Sequence, residues 1–178
     1  MASPTAMAER PPEHAGRRIS PMIYLRPMSD EERKSWLEDQ REGYVTERVG
    51  SGESPEEAQR VADAQYALLF PDGRPAPGHL FSRVMEDDKP VGWLWIGPRT
   101  PERPDAFWVW DVVIDEPYRG GGRGRAAMVL AEQQARGAGA SEIGLNVFGQ
   151  NTVARGLYES LGYDTTAILM RKELTAQP

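Results

Sequence analysis

Apolar positions along this chain change period twice: a short alternating run near Met22 gives way to two helical stripes ending at Leu69, and from His79 onward alternation returns. In "MIYLRPM" Met22, Tyr24 and Arg26 alternate with Ile23 and Leu25 as in a short strand. Ser29 and Glu32 then have capping-box spacing, so a helix is expected from about Asp30, with Trp36, Leu37, Tyr44 and Val45 on its apolar face and Gly50 and Gly52 at its end. Ser54 and Glu57 repeat the signature, and Pro55 stands at the first helical position, where its missing N–H costs nothing. The second helix has a stripe of Ala58, Val61, Ala62, Gln65, Leu68 and Leu69.

Further on, "HLFSRVMED" and "VGWLWIG" read as a hairpin turning around Asp88-Lys89-Pro90, and "AFWVWDVVI" as a third strand rich in aromatic and β-branched residues. A glycine-rich stretch leads into an Ala-rich helix from about Gly122 to Arg136. "SEIGLNVFG" is a strand, and "NTVARGLYESLG" is a helix capped by Asn151 and stopped by Gly162, with Val153, Leu157 and Leu161 as its expected buried stripe. "TTAILMRKEL" closes the pattern as a last strand. The order β-α-α-β-β-β-α-β-α-β, without an internal repeat, describes one mixed α/β domain over residues 21–174. Residues 1–20, polar and proline-containing, and residues 175–178 read as flexible tails.

Composition narrows the chemistry. With no cysteine there is no thiolate nucleophile, disulfide or thiolate metal site, and His14 and His79, the only histidines, do not suggest a histidine-built one, so no metal is expected. A net charge of −6 argues against nucleic acid or an anionic membrane as a partner and favours a cationic one. No run of apolar residues spans a bilayer and the N-terminus lacks a signal-peptide core, so a cytoplasmic protein is expected.

"YRGGGRGRAAM" (118–128) places four glycines among three arginines directly after a strand. It is not a P-loop, because Gly124 is followed by Arg125 and Ala126 rather than by Lys and Ser or Thr. Gly122, Gly124 and Ala127 do spell a dinucleotide pattern, yet Asp115–Arg119 separate it from the strand and the next strand ends in Phe148-Gly149 instead of an acid. Bare backbone N–H groups at a helix N-terminus form a cradle for an anion such as pyrophosphate, with Arg119, Arg123 and Arg125 supplying charge from the rim. The bland alternative is a glycine-rich turn without a ligand.

Arg119, Gly122 and Gly124 match the Arg/Gln-x-x-Gly-x-Gly/Ala signature of the GNAT superfamily of acyl-CoA-dependent N-acetyltransferases, which the chain resembles from about His79 to Lys172. "VWDVVIDEPYRGGGRGRAAM" looks like that family's fourth strand, pyrophosphate loop and third helix, and "LNVFGQNTVARGLYESLGY" like its fifth strand and fourth helix. Gly121 departs from relatives that often carry Lys or Gln there. The resemblance implies a mixed, mostly antiparallel twisted sheet with helices on both faces, splayed at strands four and five. It also implies acetyl-CoA as cosubstrate, held by Arg119, Gly120, Gly121, Gly122, Arg123, Gly124 and Arg125, by backbone groups of Val112, Val113 and Ile114, and by Asn151.

The resemblance further implies direct attack by an acceptor amine in a ternary complex. Asp111, which interrupts "FWVW-VVI", is the candidate base, and Tyr158 the candidate donor to the leaving thiolate. Each has a purely structural alternative: a backbone or arginine contact at a bulge for Asp111, ring packing for Tyr158, and helix capping for Asn151. Trp93, Trp95, Trp108 and Trp110 are explained by cross-strand packing, with one or two left to face an acceptor beside Trp36 or Tyr44. The expected acceptor is a small molecule or peptide terminus carrying an amine, and a homodimer is compatible with the sequence. A second function class, a non-catalytic acyl-CoA-binding module of the same fold, shares the glycine loop.

Overall fold

Serines begin the first two helices. Ser29 accepts from the Glu32 backbone N–H while the Glu32 carboxylate accepts from the Ser29 N–H, a complete capping box. Ser54 caps the second helix through Glu57 N, with Pro55 in the first turn. The computed structural model describes residues 21–170 and 172. The expected tails, residues 1–20 and 175–178, lie outside the described residues, as do Arg171, Glu173 and Leu174 of the expected last strand.

The described elements are β1 (Ile23–Pro27), α1 (Asp30–Gly50), α2 (Pro55–Leu69), β2 (Leu80–Glu86), β3 (Lys89–Pro98), β4 (Ala106–Ile114), α3 (Arg123–Gly137), β5 (Glu142–Leu145) and α4 (Thr152–Ser160), with 3-10 turns at Pro71–Gly73 and Glu116–Tyr118. The sheet runs β1-β2-β3-β4-β5, antiparallel until the last pair, which is parallel. The β2–β3 turn is tighter than expected: Glu86 pairs with Lys89, and Asp87 takes the left-handed backbone (φ 52°) that a two-residue hairpin loop needs.

The sheet's two faces carry different cores. On one, α3 seats Ala127, Met128, Ala131 and Ala135 against Val84, Val91, Leu94, Ile96, Phe107 and Val109. On the other, α1 and α2 bring Trp36 and Leu69 to Phe70, Phe81 and Trp95, with Tyr66, Trp93 and Trp110 at the margin. Most of the tryptophans are therefore packing residues, Trp36 edge-on to Trp95 and Trp95 stacked on Trp110.

Other expectations are corrected as well, among them the strand expected over 141–149, which ends at Leu145. Leu68 is 79% exposed and Tyr66 takes its place beside Phe70, because α2 is rotated to bury Ala58 and Ala62 completely. Val153 is 85% exposed, so the half-buried face of α4 consists of Ala154, Leu157, Tyr158 and Leu161, spaced i, i+3, i+4, i+7. The described part of "TTAILMRKEL" is not a strand: it has no hydrogen-bonded neighbour, and Ile168, Leu169 and Met170 are all exposed.

Candidate active site

Strand β4 has a partner on both sides only over its first half. The parallel ladder runs from Ala106↔Glu142 to Val109↔Leu145 and stops, while β4 continues to Ile114 against β3 alone. Trp110, Asp111, Val112, Val113 and Ile114 consequently border a gap in the sheet with no β5 partner.

A bulge sets what this half of β4 displays. Trp95 pairs with Asp111 but Ile96 pairs with Val109, leaving Trp110 as the extra residue. Phe107 and Val109 pack on the α3 side, and so do Val112 and Ile114, so the bulge has shifted the alternation by one position. Asp111 thereby joins the α1/α2 face, where Trp93 Nε1 donates to its Oδ2 at 2.7 Å.

Asp111 is half-buried in this setting. Burial pushes its pKa up from the ordinary carboxylate value, the Trp93 indole and the Val112 backbone N–H pull it down, and the negative charge of Glu47 on α1 raises it again. The charge of Asp111 is felt in turn by two phenols. Tyr66 of α2 is pushed up to about 12, first by burial and then by Asp111. Tyr158 of α4 is also raised, by burial and then by Asp111. Trp93 of β3 thus bonds this carboxylate directly, and charged or phenolic groups of α1, α2 and α4 are coupled to it electrostatically.

The second half of the site lies beyond β4. Gly120 and Gly122 adopt left-handed backbone (φ 87° and 78°) that an L side chain rarely takes, and Gly122 is the N-cap of α3. The α3 N-terminus has no side-chain cap, unlike those of α1, α2 and α4, which Ser29, Ser54 and Asn151 cap. It also lacks first-turn acids, whereas α1 has Asp30, Glu31 and Glu32 and α2 has Glu56 and Glu57. Arg125 stands there with no acidic partner among the described residues, so its positive charge adds to the positive end of the helix dipole. That arrangement favours an anion at the loop.

The arginines have different partners. Arg119 Nε donates to the Ile114 carbonyl at 2.9 Å. Arg125 donates to Ser160 Oγ on α4. Arg123 turns away from the rim and forks onto Glu86 of β2, at 2.9 and 2.8 Å. Asn151 caps α4 by accepting from Ala154 N at 3.1 Å.

The Acetyltransferase (GNAT) family matches residues 28–163. This chain belongs to that family. It is 38% identical over 156 residues to the uncharacterized N-acetyltransferase YycN of Bacillus subtilis strain 168, an alignment covering 85% of this chain and 99% of YycN. A second relative from that strain, the uncharacterized N-acetyltransferase YdgE, is 31% identical over 154 residues, covering 84% of this chain and 97% of YdgE. The crystal structure of YycN superposes with a TM-score of 0.74 at 34% identity, covering 87% of this chain and 100% of the other. AAC(6')-Iy, solved with the bisubstrate analog CoA-S-monomethyl-acetylneamine, shares the fold alone, with a TM-score of 0.54 at 12% identity over 87% of this chain and 99% of the other.

The chain is accordingly a GNAT acetyltransferase, and membership carries with it acetyl-CoA-dependent acetyl transfer between an acyl-CoA and an acceptor. Among the described residues no helix is long and apolar enough to cross a membrane, and no group of three His, Cys, Asp or Glu side chains could hold a metal ion.

The structure puts the sequence candidates Asp111 on β4, Tyr158 on α4 and the glycine loop before α3; Glu47, Tyr66 and the bond from Trp93 to Asp111 are not foreseen from the sequence. Tyr66 lies off the stripe read for α2, and Glu47 is one of many charges on an exposed helix. No local pattern marks either as a neighbour of β4.

Proposed function

We propose that this protein transfers the acetyl group of acetyl-CoA directly to a small or terminal amine in a ternary complex, with its pyrophosphate on the loop Arg119–Arg125 and its thioester in the gap beside β4. The observation that carries the reading is the gap itself: β4 loses its β5 partner after Val109, and the carboxylate of Asp111, bonded to Trp93, stands on the unpartnered half that leads to the glycine loop.

Each group suits one half of the reaction. An alkyl amine with a pKa near ~10 is almost entirely protonated at pH 7 and must lose a proton before it attacks. Burial raises Asp111 toward the range of a useful base, and its bond to Trp93 on the α1/α2 face supports an acceptor approaching from that side. The ammonium first gives one proton to Asp111, which passes it to water; the amine nitrogen then bonds to the thioester carbon, its second proton passes to Asp111, and the C–S bond breaks. Tyr158, a phenol that is protonated at neutral pH, gives its proton to the departing sulfur and takes one back from water, so one proton is released to solvent per turnover. The products are an N-acetylated amine and free CoA.

The unpartnered half of β4 supplies the backbone. Val112, Val113 and Ile114 line the gap, and a backbone N–H near Val113 polarises the thioester carbonyl, where negative charge grows as the tetrahedral intermediate forms. Gly120, Gly122, Gly124 and the free N–H groups of α3 take the pyrophosphate, with Arg119 and Arg125 close by. Asn151 lends α4 a fixed start and so holds Tyr158. Two features support a cationic acceptor: the carboxylates of Asp111 and Glu47 both act on this side, and the aromatic rings of Tyr66, Trp93 and Trp110 flank it. Following thiol released from acetyl-CoA, with and without added amines, tests the reading.

A further inference from the structure

Gly121 differs from its neighbours in what lies against it. Gly120 and Gly122 need their positive φ angles and have open space where a Cβ would stand. Gly121 has no such angle, but a Cβ there would overlap Nη1 of Arg123. The guanidinium lies directly against the loop backbone, so this glycine accommodates an arginine of the same chain.

That arginine is fully engaged. Its Nε and Nη2 form a two-pronged pair with Glu86 at 2.9 and 2.8 Å, and its Nη1 donates to the Tyr118 carbonyl at 3.1 Å. The side chains of Arg123 and Glu86 are 22% and 15% exposed, so both charges are largely withdrawn from water. Glu86 ends β2, beside the Asp87–Asp88 turn, and its position in the sheet is fixed by pairing with Ile23 on one side and Lys89 on the other. One side chain therefore ties four pieces together: the end of β2, the turn at Tyr118, the loop at Gly121 and the first residue of α3.

We infer that the Arg123–Glu86 pair is a strut that presets the glycine loop for acyl-CoA, making both positioning residues for cosubstrate affinity. The inference rests on the loop being the acyl-CoA cradle. A loop with three consecutive glycines has many conformations available, and only those that converge its N–H groups hold an anion. Apparent affinity falls by the fraction of the population outside that set. The strut spends the ordering entropy during folding instead of at binding. Because Glu86 already neutralises Arg123, the arginine contributes shape rather than attraction.

Shape and charge predict opposite signs for one substitution. If Arg123 served as a phosphate-binding charge, Glu86→Gln would free it and remove an anion from the neighbourhood, and CoA would bind more tightly. If the pair is a strut, Glu86→Gln loosens the loop and CoA binds more weakly, by about tenfold. Arg123→Lys keeps the charge but loses the planar fork, and weakens CoA by a similar factor.

The experiment is calorimetric titration of CoA into the wild type, Glu86→Gln and Arg123→Lys, with circular dichroism of each free protein and steady-state kinetics in acetyl-CoA. The expected result is a Kd about tenfold higher in both variants, with the loss for Glu86→Gln appearing in KM for acetyl-CoA and not in kcat. Unchanged or tighter CoA binding by folded Glu86→Gln overturns the strut. If that variant does not fold, Arg123→Lys decides: wild-type affinity there overturns it equally. A wild type that does not bind CoA would instead remove the cradle on which the inference rests.

Discussion

Trp93 and Asp111, on neighbouring strands, share a 2.7 Å hydrogen bond that opposes the effect of burial on the carboxyl group. Burial favours the protonated acid, and the indole N–H favours the carboxylate. If Asp111 is the base, activity rises with pH as it ionises, and Asp111→Asn removes this limb and lowers turnover by ~100-fold while CoA still binds. Trp93→Phe deletes the opposing hydrogen bond, so the same limb moves to higher pH. pH–rate profiles of the three proteins check this. A profile unchanged in Asp111→Asn assigns the base elsewhere.

Gly122 and Gly124 respond to substitution for different reasons. At Gly122 the left-handed backbone itself rejects valine. At Gly124 an added Cβ makes only an ordinary 3.5 Å contact with Leu157, so Gly124→Ala keeps the fold, whereas Gly124→Val places bulk where the pyrophosphate approaches. Both valine variants are expected to lose at least ~10-fold in acetyl-CoA affinity by calorimetry. Wild-type affinity in folded Gly124→Val would contradict the placement of the cosubstrate.

Tyr158→Phe keeps the ring that packs against Tyr163 and removes only the hydroxyl. A donor to the leaving sulfur acts mainly in the transition state, so turnover should fall by ~100-fold with acetyl-CoA affinity nearly unchanged. Equal turnover in the variant returns Tyr158 to packing.

Much of this arrangement is legible in the sequence, and the parts that are not have a common cause. Ser29, Ser54 and Asn151 announce their helices because a cap acts on residues three positions away. The loop is legible because its glycines and arginines are contiguous. The partner of Arg123, however, lies 37 residues earlier, and no local signal links Glu86 to the start of α3. The bulge at Trp110 is equally hidden, since it arises from register between β3 and β4 and reverses the side on which Asp111 emerges. Leu68 and Val153 fit the helical periods expected of them, yet tertiary packing rotates both outward.

His79 provides a test of stability. Its Nδ1 accepts from Trp95 Nε1 at 2.9 Å, and burial lowers its pKa to about 4. Between that value and the ordinary 6.5 of the unfolded chain, the unfolded state binds the proton and the folded state does not, so stability falls as pH drops through this window. Asp111, with its raised pKa, contributes the opposite slope in acid, so the comparison must be with a His79→Gln protein. Urea midpoints from pH 7 to pH 4 should fall more steeply in the wild type than in the variant. Parallel curves would show that His79 takes up its proton without unfolding.

The most direct measurement is the release of free thiol from acetyl-CoA by the purified wild-type protein across a panel of amines, with Tyr158→Phe alongside. The expected result is steady release that requires an added amine, saturates in both acetyl-CoA and that amine, yields the N-acetylated product in equal amount, and is largely lost in the variant. Release that is indifferent to every amine tested, or equally fast in Tyr158→Phe, would contradict it.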